Sequence, residues 1–165
     1  MHAVVMGVSS CGKSTVGALL AHELGVPFKD GDELHPASNI SKMSSGVPLT
    51  DEDRWPWLGL IGQWLAEHHE GGVIACSALK RSYRDRIREA APDTVFIHLH
   101  GSKELMAKRM AARPGHFMPE SLLNSQFETL EPLSHEERGR VFDVADPPIQ
   151  IAHDAASWLE SSTKE

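Results

Sequence analysis

Gly7-Val8-Ser9-Ser10-Cys11-Gly12-Lys13-Ser14-Thr15 fits G-x-x-x-x-G-K-[ST], a loop whose backbone N–H groups wrap the phosphates of a nucleotide. In such a loop Lys13 places a point charge on the β- and γ-phosphates, and the Ser14 hydroxyl holds Mg²⁺. The flanks supply the context the motif needs. Ala3-Val4-Val5-Met6 is a short apolar run suited to a buried strand, and Val16, Leu19, Leu20 and Leu24 recur at helical spacing up to Gly25. Strand, glycine loop and helix form one unit with the helix N-terminus aimed at an anion. A Gly/Ser turn with an incidental lysine is the plainer alternative, but it accounts for neither flank. The expected ligand is a nucleoside triphosphate.

The chain has 165 residues, enough for one domain with a substantial core. Its 16 basic and 23 acidic residues give a net charge of −7, which argues against a nucleic-acid footprint. No apolar run approaches the roughly 20 residues that span a bilayer, so no membrane partner is expected. The N-terminus enters its strand at once, leaving no room for a signal peptide. Cys11 and Cys76 make neither a disulfide framework nor zinc spacing, and the ten histidines fall in no ligand pattern. A reduced, cytoplasmic location is the expectation.

Val26-Pro27-Phe28-Lys29 reads as a second strand, running into Asp30-Gly31-Asp32. Alternation along an extended strand would turn both carboxylates toward the phosphate loop, at the strand end where ligands of open α/β sheets collect. The same triplet also suits a turn with a helix cap. Glu33 to Ser45 is polar, with Gly and Pro following, and reads as a mobile substrate-binding segment. Thr50-Asp51-Glu52-Asp53 starts a helix, Pro56 falls within its first turn, and Trp57, Leu58, Ile61, Trp64 and Leu65 make a core-facing stripe. Arg54 at that junction is free to reach an anion. Val73 to Cys76 is a third strand, with Lys80, Arg81 and Arg84 beyond it as either a solvated face or an anion clamp. Thr94 to Leu99 is a fourth strand, in which His98 and His100 read as hydrogen-bonded strand residues. Arg109 and Arg113 share a helix face ahead of Pro114-Gly115, and a second helix spans Glu120 to Leu130; together they suit an arginine-bearing lid. Arg138 to Val144 is the last strand, followed by the Asp146-Pro147-Pro148 loop and a closing helix. This βα alternation implies a parallel sheet covered on both faces.

Beyond the phosphate loop, several blocks resemble the gluconokinase family of P-loop kinases. They are Asp30-Gly31-Asp32-Glu33-Leu34-His35-Pro36, Asn39 to Met43, Gly46 to Leu58, Ala75 to Arg81 with Tyr83-Arg84-Asp85, Arg113 to Pro119 and Ser125 to Glu131. The resemblance runs from about Val4 to Asp146. It implies a three-layer αβα P-loop kinase fold over residues 1–165, with a central parallel sheet of about five strands and a helical lid. Within that single domain, about 33–54 is the substrate segment and about 113–135 the lid. The implied reaction is ATP-dependent phosphorylation of D-gluconate at its terminal hydroxyl, with Mg²⁺, commonly in a homodimer. One departure is Ser10-Cys11, where the family usually shows Gly-Ser, so Ser10 must adopt a conformation that a glycine had supplied.

Taken with that resemblance, Gly7, Ser9, Ser10, Cys11, Gly12, Lys13, Ser14 and Thr15 hold ATP, and Arg109 with the Asp146-Pro147 loop packs at adenine. Asp32 orients the attacking hydroxyl and accepts its proton, while Ser14 and Asp30 serve the metal. Lys13, Arg109 and Arg113 neutralise the transferring phosphoryl group. His35, Lys42, Arg54, Lys80, Arg81, Arg84, His116 and Gln126 are the remaining candidates for gluconate, the cations suiting its carboxylate. A kinase for shikimate or another hydroxy acid is the nearest rival; a GTPase-type switch is disfavoured, since Asn39-Ile40-Ser41-Lys42 does not fit guanine readout. Cys11 within the loop predicts that thiol alkylation inactivates the protein and that ATP protects.

Overall fold

Ala3 to Met6 carry apolar side chains in both alternating directions, the pattern of a strand covered on each side. In the computed structural model, which describes residues 1–112 and 120–162, they lie in β1 (His2–Met6), the central strand of a five-stranded sheet. The other strands are β2 (Phe28–Asp30), β3 (Gly72–Ala75), β4 (Val95–His100) and β5 (Gly139–Asp143). Their order is β2-β3-β1-β4-β5, and every pairing is parallel.

Seven helices among the described residues connect them: α1 (Lys13–Leu24), α2 (Ala37–Ser44), α3 (Asp51–Glu67), α4 (Arg81–Ala90), α5 (Lys103–Ala112), α6 (Glu120–Thr129) and α7 (Pro148–Ser162). Strand alternation divides the apolar side chains between two cores. Ala3, Val5, Val73, Ile97 and Leu99 pack with Val16 and Leu20 of α1 and Ile151, Ala155 and Leu159 of α7. Val4, Met6, Ile74 and Phe96 point the other way, onto Leu58, Ile61 and Leu65 of α3 and Ile87 of α4. Each such buried side chain contributes about 1.5–3 kcal/mol, so these two layers fix where the loops emerge.

Helix ends follow local chemistry. Gly25 closes α1 in the left-handed region, its N–H reaching the carbonyls of Ala21 and His22. Thr50 and Asp53 form a reciprocal capping box at the start of α3. Because α3 begins at Asp51, Pro56 falls beyond the expected first turn, where its ring removes an N–H the helix would have used. The segment from Glu33 to Ser45 is also more regular than expected: a 3₁₀ turn (Gly31–Leu34) leads directly into α2.

The chain leaves β1 toward β2 on one side and leaves β3 toward β4 on the other. Neighbouring strands β1 and β3 thus send their connections in opposite directions, and a crevice opens at their carboxyl ends. The Gly7 N–H donates to the Ser77 carbonyl at 3.2 Å across this point.

Candidate active site

The phosphate loop occupies that crevice. Gly7 has φ +147°, and a Cβ there would lie 2.7 Å from the Leu99 carbonyl oxygen and 2.8 Å from Cys11 Sγ, so no larger residue fits. Ser10 takes φ 68°, the left-handed conformation anticipated for a serine standing in a glycine position. Gly12 precedes α1 without any side-chain cap, leaving the first N–H groups of the helix without a side-chain partner there. Lys13 folds back over the loop: Nζ donates to the Gly7 carbonyl at 3.0 Å and to the Val8 carbonyl at 3.1 Å. Thr15 is exposed on the next residue of α1. From α6, Gln126 brackets Ser9, its Oε1 accepting from the Ser9 N–H at 2.7 Å and its Nε2 donating to Ser9 Oγ at 3.0 Å. Gln126, read from sequence as a substrate contact, therefore lies on the phosphate loop.

The acid pair reaches the loop differently from the way strand alternation suggested. β2 ends at Asp30 and the backbone turns at once into the 3₁₀ turn, so Asp30 and Asp32 do not belong to one extended run. Asp30 Oδ1 accepts from the Asp32 N–H at 3.0 Å, capping that turn, while Oδ2 accepts from the Ser14 hydroxyl at 3.1 Å. Gly31 permits the tight path, since a Cβ there would stand 2.5 Å from the Ala75 carbonyl oxygen. The buried Trp57 indole N–H holds the Gly31 carbonyl at 2.8 Å, a positioning task beyond the core packing expected of it. Asp32 titrates above the usual carboxylate range. Crowding by surrounding protein is the main cause and the Asp30 charge adds to it, against the opposing pull of His35 and Lys13.

Oxygen donors from a hydroxyl and a carboxylate, already 3.1 Å apart beside the phosphate loop, fit a hard cation such as Mg²⁺. No cluster of three or more His, Cys, Asp or Glu side chains suited to a metal occurs among the described residues. Mg²⁺ needs none, because it commonly takes one or two protein oxygens and fills its shell with phosphates and water.

The substrate segment is fastened to α3. The His35 ring stacks on Trp57 with centroids 4.1 Å apart and planes at 14°. Lys42 Nζ lies 2.8 Å from Asp53 Oδ2, and that ammonium, with the Thr50 N–H, lowers the Asp53 carboxyl to about 2. Lys42 thus ties α2 to α3. Arg54 and Lys80 converge on Asp51, at 3.8 and 3.2 Å, and both lie over the Tyr83 ring. The Tyr83 hydroxyl donates to Asp51, and this bond, followed by that of Lys80, holds the Asp51 carboxyl low. Sequence reasoning gave Tyr83 and Asp51 no role at the site; the signal was the chain's one tyrosine, set among basic residues.

Two candidate clamp residues face elsewhere. Arg84 is fully buried, with Nε 2.7 Å from Glu137 Oε2, and its other nitrogens donate to Glu137 and to the carbonyls of Ala78, Leu79, Glu131 and Pro132. Every donor is satisfied internally, which leaves none for an anion. Arg81 donates to Ser134 and Glu136 at 3.0 and 2.8 Å, on the outer side of the same loop. These two arginines organise the chain after α6 rather than the cleft.

Arg109 Nη2 donates to the Val144 carbonyl, two residues before Asp146, and its charge reaches Cys11. It therefore lies between the phosphate loop and the β5–α7 turn, where the Asp146 N–H bonds to the Asp143 carbonyl and the Pro147 carbonyl caps the start of α7. Arg113 and His116 lie outside the described residues. Cys11 is 2% exposed and burial raises its thiol, which opposes the alkylation expected from its place in the loop. His98 also departs from expectation: it is buried, and its Nδ1 has no hydrogen-bond partner among the described residues.

A phosphate loop set against an acid pair at the switch point of a parallel sheet defines a P-loop kinase acting on a small molecule. The family model described as Shikimate kinase matches residues 9–160. More specifically, the chain belongs to the gluconokinase family. It is 46% identical over 160 residues to the thermosensitive gluconokinase of Escherichia coli (strain K12), covering 95% of this chain and 82% of that protein. It is 53% identical over 131 residues to the gluconokinase of Gluconobacter oxydans (strain 621H), covering 78% and 74% respectively. Among solved structures, a gluconokinase from Sinorhizobium meliloti 1021 matches with a TM-score of 0.89 at 51% identity, covering 99% of this chain and 95% of that one.

Proposed function

We propose that this protein transfers the γ-phosphoryl group of ATP to the terminal, 6-hydroxyl of D-gluconate, giving 6-phosphogluconate and ADP. The hydroxyl oxygen bonds to the γ-phosphorus as the bond from that phosphorus to the β–γ bridging oxygen breaks. ADP leaves with that electron pair, and the hydroxyl proton passes to Asp32. One observation carries this reading: the Asp30–Ser14 bond brings the acid pair to the mouth of the phosphate loop, with Asp32 within the field of Lys13.

In this reading the loop amides and Lys13 hold the phosphates, and Arg109 with Asp146 and Pro147 flanks the base. Ser14 and Asp30 hold Mg²⁺, which neutralises phosphate charge when bound. Two cations, Arg54 and Lys80, meet the single carboxylate of Asp51, which leaves one positive charge in excess where a sugar acid can offer its own carboxylate. Arg113 and His116 belong to a lid over about 113–135, and about 33–54 is the substrate segment. A cytoplasmic homodimer completes the proposal. Among the described residues no helix is long and apolar enough to cross a membrane.

A coupled ADP-release assay across gluconate, shikimate, other sugar acids and AMP tests it. Gluconate is expected to give the highest kcat/KM. Turnover of another acid with none of gluconate overturns the substrate assignment.

A further inference from the structure

Asn39 is only 2% exposed, yet it carries a polar amide, and both hydrogens of that amide are committed. Nδ2 donates to the Asp53 carbonyl at 2.9 Å and meets His35 Nδ1 at 3.2 Å. A backbone carbonyl has no proton to give, so the group facing Asp53 must be the NH₂ and not the amide oxygen. The same NH₂ therefore faces His35, and because it only donates, Nδ1 must present a lone pair. A neutral imidazole then carries its proton on Nε2. The imidazolium is disfavoured too, since its Nδ1–H would point at a donor.

We infer that Asn39 is a positioning residue that holds His35 in the Nε2–H tautomer, so that the ring offers the cleft a hydrogen-bond donor and never an acceptor. Stacking on Trp57 keeps the ring in plane, and Nε2 makes no hydrogen bond to any described residue. The groups around the imidazole are the Asp32 carboxylate on the 3₁₀ turn, Arg54 and Trp57 on α3, and Asn39 on α2. Burial, aided by the Arg54 charge, keeps it neutral against the opposing pull of Asp32. The tautomer follows from the structure alone. Its use rests on the proposed kinase reading: Nε2–H would pair with an oxygen lone pair of the substrate and exclude a group that can only donate, such as an ammonium.

Long-range ¹H–¹⁵N correlation spectra of the histidine-labelled protein test the inference, with His35 assigned by its loss in His35→Gln. The expected pattern near neutral pH is an unprotonated, pyridine-type Nδ1 and a protonated, pyrrole-type Nε2. A protonated Nδ1 in the wild type overturns the inference whether or not any variant folds. In Asn39→Asp the carboxylate calls for an Nδ1–H, so the pattern should reverse or become that of the imidazolium, with KM for gluconate rising about tenfold. An unchanged pattern in a folded Asn39→Asp also overturns it. The expected tautomer in a protein that fails to turn over gluconate upholds the role of Asn39 and overturns only the substrate reading.

Discussion

The Ser14 hydroxyl donates to Asp30 Oδ2 at 3.1 Å and so joins the first turn of α1 to the last residue of β2. The helix α1 follows β1, which is not a neighbour of β2, because β3 lies between them. The bond spans the crevice and sets the gap between the phosphate loop and the acid pair.

Asp32 is raised partly by the Asp30 charge, so in metal-free protein Asp30→Asn should return the Asp32 carboxyl toward the ordinary range. Carboxyl ¹³C titration reads this directly. A raised carboxylate binds its proton more tightly in the folded state, so ionised Asp32 detracts from stability near neutral pH. Asp32→Asn should therefore lower kcat by about 10²-fold or more while leaving KM for ATP and the melting temperature undiminished. Equal losses in kcat and ATP affinity would argue for a metal or folding role.

Among the described residues Lys13 bonds only to the carbonyls of Gly7 and Val8 and, weakly, to Cys11 Sγ, all within its own loop. Lys13→Ala should keep the circular dichroism spectrum and melting temperature of the wild type while losing about 10³-fold in turnover. Near-normal rates would mark the loop as structural.

Glu137 links pH to stability. Burial pushes its carboxyl up, but Arg84, the Ser134 N–H and Arg88 outweigh that and bring it from 4.5 to about 2. A depressed carboxylate stabilises the fold above its unfolded value, so this contribution is full above pH 4.5 and fades as pH falls toward about 2. Glu137→Gln should cost about 3–5 kcal/mol in denaturant melts, because it strands a buried guanidinium. The double change Arg84→Met with Glu137→Leu should recover little of the loss, because the carbonyls of Ala78, Leu79, Glu131 and Pro132 lose their donor and Arg88 its acceptor, but the folded protein should bind gluconate as the wild type does. A raised KM in that double variant would restore Arg84 to the anion clamp.

Both thiols are buried, with Cys76 pushed up to about 12 by desolvation and Cys11 also raised. Iodoacetamide at pH 8 should modify neither in the native protein within the time that labels both in denaturant. Mass spectrometry after a timed quench measures this. Rapid inactivation blocked by ATP would show instead that the loop opens to expose Cys11.

Much of the fold was legible because its signals are local. The run Ala3 to Met6, the loop glycines and the α1 spacing each act within a few residues, and the structure follows them. Asp30-Gly31-Asp32 shows where legibility ends. The residues were recognisable, but the path was not, because the 3₁₀ turn depends on Gly31 passing under the Ala75 carbonyl and on the Trp57 indole above it. Neither contact leaves a mark in the triplet itself. Tyr83 stood among the residues that carry the resemblance but had no assigned role for a similar reason: its hydroxyl meets Asp51 from 32 residues away.

By itself the sequence determined the strand–loop–helix unit and the parallel sheet, since backbone conformation and apolar periodicity are written over short spans, and its blocks from Asp30 to Leu58 carried the resemblance to gluconokinases. Only the tertiary structure decided which charges face the cleft. Arg54 and Arg84 are alike as basic residues on the page. One sits half-buried over Tyr83, and the other is locked to Glu137 at a separation of 53 residues. A buried charge is stable only beside its partner, and that partner is chosen by how the layers pack.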